Sequence, residues 1–166
     1  MSGFLKIGLS AAVLAAVSCA TAAQAEDTLK IGFPGGFTGY LAPYDQPTLQ
    51  GVQMAIDEIN KAGGIDGKIK IELITRDMRS DTAQSAVMAQ ELVDQGIDVM
   101  LAACDVDPAV AAGQLTQAAQ IPTIAPCAST PTLPGMVGDY MFANYTADNL
   151  QGAALADFAV QQGYKT

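Results

Sequence analysis

Ile97-Asp98-Val99-Met100-Leu101-Ala102-Ala103 is apolar at every position but one, and the fold class follows from it. A strand that faces water on one side alternates; one that is apolar throughout is buried on both faces, as in a parallel sheet covered by helices. Working downstream, Asp107-Pro108 reads as an N-cap followed by a proline at the first helical position, opening a helix that runs to about Gln120. Ile121-Pro122-Thr123-Ile124-Ala125 is then the next strand. Upstream, Asp81-Thr82 starts a helix carrying Ala86, Ala89 and Val93, and Gly96 closes it. Before that helix, Lys68 to Ile74 alternates and reads as another strand.

Further out the same rhythm continues. Leu29-Lys30-Ile31-Gly32-Phe33 opens as a strand, and Pro34 to Tyr40 is a glycine-rich loop. Leu49, Val52, Ile56 and Ile59 fall at helical spacing between Pro47 and Ala62, and Gly63-Gly64 ends that helix. Toward the other end, Asp139 to Asn144 forms a short extended crossing after a Gly/Pro-rich stretch. A last helix spans roughly Ala147 to Gln162, with Leu150, Ala154 and Phe158 on one stripe, and Gly163 stops it. Strands alternating with helices imply right-handed crossovers, hence an α/β fold: an open parallel sheet with helices on both faces.

Composition narrows the function. The chain has 166 residues, 8 Lys+Arg against 17 Asp+Glu, a net charge of −9 and no His. Nucleic-acid binding needs clustered cations to displace counterions, and none is present. The absence of His removes His-based triads, His metal ligands and the usual proton shuttle near neutral pH. Lys6, the apolar run Ile7 to Val17 and Ala23-Gln24-Ala25 before Glu26 read as a cleaved secretory signal peptide over residues 1–25, so the mature chain is expected to be exported. The rivals are an uncleaved anchor and lipid attachment at Cys19. Export leaves Cys104 and Cys127, which are either one disulfide or two separate buried thiols. Two cysteines without His or further Cys do not close a zinc tetrahedron, so no metal is expected.

In open α/β sheets, ligands sit outside the carboxyl ends of the strands, beside helix N-termini. That selects Gly35–Gln46 with Tyr40 and Tyr44, Cys104–Asp107 with Asp105 and Asp107, and Cys127–Pro131 with Ser129 and Thr130. The glycines at 32, 35, 36 and 39 miss the spacing of nucleotide loops, and no cofactor is expected. Asp107 reads as a helix cap, whereas Asp105 follows an apolar strand without cap geometry of its own. A catalytic Ser129 finds only carboxylates nearby to serve as base, and no G-x-S-x-G elbow surrounds it. An exported α/β hydrolase is therefore the weaker alternative, and recognition without chemistry, no enzyme, is the stronger reading.

Several motifs resemble the type I periplasmic solute-binding proteins of ABC transporters, the group of the leucine/isoleucine/valine-binding protein. They are Phe37-Thr38-Gly39, Tyr44, Gly51 to Ile56, Ile59-Asn60-x-x-Gly63-Gly64-Ile65-x-Gly67, Asp77, and Ala125 to Pro131. The resemblance runs from about Leu29 to the end of the chain. It implies two α/β lobes that close on a small solute and pass it to a membrane permease, the binding protein acting as a monomer. On that basis residues 26–144 form the N-terminal lobe, and 145–166 form the crossover and first helix of a second lobe that lies mostly outside this sequence. A ligand-sensing receptor ectodomain is a further alternative, which would need a membrane segment after Thr166.

Carried over by motif, Tyr44 covers the ligand and Ala128 and Ser129 contact it. The hydroxyl expected after the third strand falls on Asp105, or on Asp107 if the helix is kept in register. In amino-acid binders that hydroxyl receives the ligand carboxylate, and a carboxylate there repels one. The solute would then be an amino acid or an amide- or amine-like compound offering a donor. The family's usual cysteine after the second strand is replaced by Arg79 or a neighbour. Cys104 and Cys127 instead follow neighbouring strand ends, whose spacing of about 4.8 Å suits a disulfide, so they are expected to bridge.

Overall fold

The computed structural model describes residues 28–165. The expected signal peptide and Cys19 lie outside the described residues. Ten elements follow in strict alternation: β1 (Thr28–Gly35), α1 (Ala42–Lys61), β2 (Lys70–Asp77), α2 (Thr82–Asp94), β3 (Val99–Leu101), α3 (Val106–Ala118), β4 (Thr123–Ala125), α4 (Leu133–Val137), β5 (Met141–Ala143) and α5 (Asp148–Gln161). The strands form one parallel sheet in the order β2-β1-β3-β4-β5. From β1 the chain steps one way to β2, then returns past β1 to β3 and continues the other way. With right-handed crossovers, that reversal puts α1 on one face and α2 and α3 on the other. The α/β fold, an open parallel sheet with helices on both faces, is as the sequence implies.

Most of the core lies between α2, α3 and the sheet. Ala89, Leu92, Ile97, Met100 and Ala112 form one cluster. Ala102, Ala109, Ala125, Ala128, Leu133 and Met141 form a second, toward the β5 edge. Small side chains let the helices lie close to the strands; a Cβ on Gly113 would come within 2.6 Å of the Met141 side chain. The buried hydroxyls in these layers are paired. Ser85 donates to Pro108 O at 2.8 Å, and the hydroxyls of Thr116 and Thr123 lie 2.6 Å apart.

Helix ends obey local chemistry. Asp81 accepts from the amides of Ala83 and Gln84, the expected N-cap of α2. After α1, the amides of Gly63 and Gly64 donate to Asn60 O and Ile59 O, a Schellman closure with both glycines at positive φ. The Asn60 side chain meets both the N–H and the C=O of Ile71 at 2.8 Å, so its amide pairs with the outer edge of β2. This gives the Asn-x-x-Gly-Gly run a physical reason.

Several boundaries differ from expectation. Helix α1 begins at Ala42, not Pro47: Pro43 occupies its first turn, and Pro47 is accommodated inside the helix. The buried face of α2 is Ser85, Ala89 and Leu92, with Ala86 and Val93 only flanking it. Ile59 is exposed. The Gly/Pro-rich stretch contains the short α4. The stripe expected on α5 is exposed throughout, and α5 buries no residue.

Candidate functional site

Strands β1 and β3 are neighbours whose outgoing connections run in opposite directions, the point where α/β sheets open a crevice at their carboxyl ends. Strand β4 flanks β3, so the three loops singled out by sequence share one rim. What holds them is largely Asp45, in the first turn of α1. Asp45 is fully buried. One carboxylate oxygen accepts from Gly36 N at 2.6 Å, in the loop after β1, and the other from Cys104 N at 2.8 Å, after β3. Burial pushes the Asp45 carboxyl up, the two amides partly offset this, and the charge of Asp105 adds to the rise.

Cys104 and Cys127 are joined by a disulfide, with Cα atoms 4.9 Å apart, as expected. It ties the loop after β3 to the loop after β4. Beneath, Leu41, Met78 and Ala103 form a small apolar cluster with Met88 against it.

The outer side of the β1–α1 loop is held as firmly. Asp77, the last residue of β2, accepts from Phe37 N at 3.0 Å, Thr38 N at 3.3 Å, Thr38 Oγ1 at 2.8 Å and Arg79 N at 2.8 Å. Burial opposes its charge, but the donors from Arg79, Thr38 and Phe37 outweigh it and hold the carboxyl below the usual range. Ser80 accepts from Leu41 N at 2.9 Å and donates to Thr38 O at 2.6 Å. Gly39 sits at φ 84°, where a Cβ would fall 2.7 Å from the Ser80 hydroxyl.

The sequence-predicted residues separate into two groups. Asp105 faces the β1–α1 loop: Tyr40 OH donates to its Oδ2 at 3.3 Å. Desolvation, then the negative charge of Asp105, raises the Tyr40 phenol above its usual range. The cap assignment is corrected. Asp105, extended at φ −134°, is the N-cap of α3, its Oδ1 accepting from Val106 N at 2.7 Å. Asp107 lies in the first turn, where Pro108 costs no hydrogen bond.

Tyr44 belongs to α1 rather than to the loop; the residue is 62% exposed and no hydrogen bond to its hydroxyl is made among the described residues. Ala128 is buried in the β4-side core and Ser129 is half-buried beside it. The carbonyl of Ser129 accepts from Asp148 N at 2.9 Å, at the start of α5. Ser129 Oγ has no base: no His exists in the chain, and no carboxylate bonds to it among the described residues. Sequence reasoning missed Asp45 and Ser80. With the helix expected from Pro47, Asp45 read as a loop carboxylate, so neither its place in the first turn of α1 nor its burial was legible.

Loops at the carboxyl rim of a parallel sheet are here joined, at a switch point, by a buried carboxylate and a disulfide, the place where open α/β sheets take their ligands. The chain belongs to the family described as periplasmic binding protein, whose profile matches residues 28–166. It is 32% identical over 161 residues to an amino acid binding protein of Pseudomonas aeruginosa, covering 95% of this chain and 41% of that protein. It is 28% identical over 151 residues to the same species' leucine-, isoleucine-, valine-, threonine- and alanine-binding protein, covering 91% of this chain and 40% of that one.

Among solved structures, a branched-chain amino acid transporter substrate-binding protein of Streptococcus pneumoniae, in complex with isoleucine, matches with a TM-score of 0.73 and 35% identity over 80% of this chain and 38% of that one. A solute-binding protein of an ABC transporter from Rhodopseudomonas palustris, in complex with 3,4-dihydroxybenzoic acid, matches with a TM-score of 0.74 and 27% identity over 84% and 38%. The chain spans about two-fifths of the length of the relatives it matches.

Proposed function

We propose that this chain supplies the first lobe of a monomeric periplasmic solute-binding protein that carries a small polar solute to an ABC permease. The observation that carries the reading is the Asp45 bridge between Gly36 and Cys104, which locks the two loops at the switch point into one preformed rim. A preformed rim lowers the ordering cost of binding, which is what recognition needs and what a mobile loop cannot offer. The relatives that resemble the chain over most of its length carry solute-binding names. In this reading residues 26–144 are the lobe, and 145–166 are the crossover and first helix of the second.

Asp105, Tyr44, Ala128 and Ser129 are the proposed contacts, with Tyr40 added by its bond to Asp105. Asp105 brings a negative charge to the rim, and its two oxygens already hold an amide and a phenol. A solute carboxylate placed against it would be repelled, whereas an amine or amide donor would be accepted. The test is a thermal-shift screen of the full-length mature protein against amino acids, amides and amines. Compounds with a donor group should raise the midpoint, and Asp105→Ser should reorder them in favour of acids. A midpoint unmoved by every compound rejects the solute class. An unchanged ranking in Asp105→Ser rejects the role of Asp105.

A further inference from the structure

Asp45, Cys104 and Cys127 meet at one corner beneath the rim: a carboxylate oxygen and the two sulfurs all lie within 4.8 Å of one another. Sequence spacing gave no third ligand for the two cysteines; the fold supplies one from the first turn of α1. We propose that reduction of the Cys104–Cys127 disulfide converts this corner into a binding site for a soft divalent cation of the zinc and cadmium type, held by two thiolates and the Asp45 carboxylate.

Three features support it. Tetrahedral sites with bonds of about 2.0–2.3 Å place ligand atoms roughly 3.5–4 Å apart. The two sulfurs, once freed from a bond of about 2 Å, separate by about 2 Å through side-chain rotation, while the Asp45 oxygen already lies within 4.8 Å of both. The two cysteines do not depend on their bond to stay adjacent. Strands β3 and β4 pair through Met100 with Thr123 and Leu101 with Ile124, and Cys104 N is separately held by Asp45. Finally, Asp45 is a buried carboxylate met only by backbone amides among the described residues, which leaves its charge uncompensated by any cation. Thr48 Oγ1, 3.4 Å from Cys104 Sγ, places a further oxygen beside the corner. Thiolates select such cations over magnesium or calcium.

The chemistry balances with a phosphine as reductant. The phosphine attacks one sulfur and displaces the other as thiolate; water then releases the first sulfur as a thiol and leaves phosphine oxide. The cation takes the place of the two thiol protons, which pass to solvent. The disulfide and the cation are mutually exclusive, so occupancy tracks the thiol state. A bound cation would tie the loops after β3 and β4 as the disulfide does.

The experiment uses the full-length mature protein, reduced with a water-soluble phosphine under argon and titrated with cadmium ion. The readouts are the ultraviolet thiolate-to-cadmium charge-transfer band, thiol counting with a disulfide reagent, and far-UV circular dichroism. The expected result is one cadmium per chain, both thiols protected, and no band in the oxidised protein. Asp45→Asn should weaken binding about tenfold or more, since even an outer partner of a ligand is worth 10–100-fold. Cys127→Ser, with Asp45 intact, should abolish the two-thiolate band. A reduced, folded protein without the band, or with half a cadmium per chain, overturns the proposal. So does loss of the circular dichroism on reduction, because the β3–β4 ladder is then not what holds the thiols together.

Discussion

The Cys104 amide donates to Asp45 Oδ1 at 2.8 Å across 59 positions of sequence, and the partner oxygen of the same carboxylate takes Gly36 N at 2.6 Å. One side chain thus satisfies a buried and a partly buried donor from two loops on adjacent strands. Removing it as Asp45→Ala leaves both amides without a partner. At about 1–3 kcal/mol for each donor left unsatisfied, the variant should lose about 2–6 kcal/mol. Urea unfolding would show this as a lower midpoint at unchanged slope. A midpoint within error of the parent would mean the rim is held by something else.

Asp77 predicts a pH dependence. Its carboxyl is held below the usual range in the folded chain. A depressed folded value contributes stability that is present above the unfolded pKa, near 3.8, and lost as pH falls through the folded value. Asp77→Asn keeps one acceptor but not the charge. It should be less stable than the parent at neutral pH and should flatten the acid limb of the stability profile. The Asp45 carboxyl, shifted the other way, contributes the opposite slope: it disfavours the folded state as pH rises through its raised value. Thermal midpoints between pH 3 and pH 7, about the range set by carboxylate titration, would separate the two.

The layered architecture was legible because its signals are local. Ile97 to Ala103 reads as doubly buried from composition alone, and Gly63, Gly96 and Gly163 each stop a helix at positive φ. The start of α1 was not, because Pro43 and Pro47 each suit a first turn and only packing chooses between them. Asp105 and Asp107 pose the same problem for α3: both can cap, and the extended backbone of Asp105 settles which does. The burial of Asp45 is a tertiary fact. Asp148 also lies in a first turn, as the opening residue of α5, and stays exposed. Tyr40 was visible as a loop aromatic, but the contact that separates it from Tyr44 spans 65 positions.

Two glycines should respond to alanine with opposite signs. Gly39 lies at φ 84°, and a Cβ there would sit 2.7 Å from Ser80 Oγ and 3.1 Å from Arg79 O. Gly39→Ala should cost about 1–3 kcal/mol through backbone strain and displacement of Ser80. Gly51 lies in the middle of α1 with nothing within 4 Å of its Cβ position. Gly51→Ala should stabilise by about 0.5–1 kcal/mol, through helix propensity alone. Chemical denaturation of the pair checks both; a loss at Gly51 would show that the open space is occupied in solution.

Asn60 tests the edge of the sheet. Its amide both donates to Ile71 O and accepts from Ile71 N, so the two substitutions nearest in shape fail differently. Asn60→Asp turns the donor into a second acceptor facing the Ile71 carbonyl, while Asn60→Leu leaves both backbone groups bare. Each should cost about 1–3 kcal/mol. Only the Asp variant should recover stability as pH falls, since protonation restores a donor. Identical pH profiles for the two would show that the amide pairing contributes nothing specific.

Tyr40 and Asp105 give the prediction closest to function. The phenol is exposed, so Tyr40→Phe should change stability by no more than about 0.5 kcal/mol. It does, however, remove a donor from Asp105 Oδ2, leaving the carboxylate's charge less shared and that oxygen open to a solute. Tyr40→Phe should therefore shift preference toward cationic amines over neutral amides, and Asp105→Ser should shift it the other way. Calorimetric titration of the full-length protein with a matched amine and amide measures the ratio for each variant. Opposite movements place the Tyr40–Asp105 pair at the solute's donor group. Movements of the same sign mean that both residues act on the solute only through the shape of the rim, and the charge-based part of the reading fails while the lobe assignment stands.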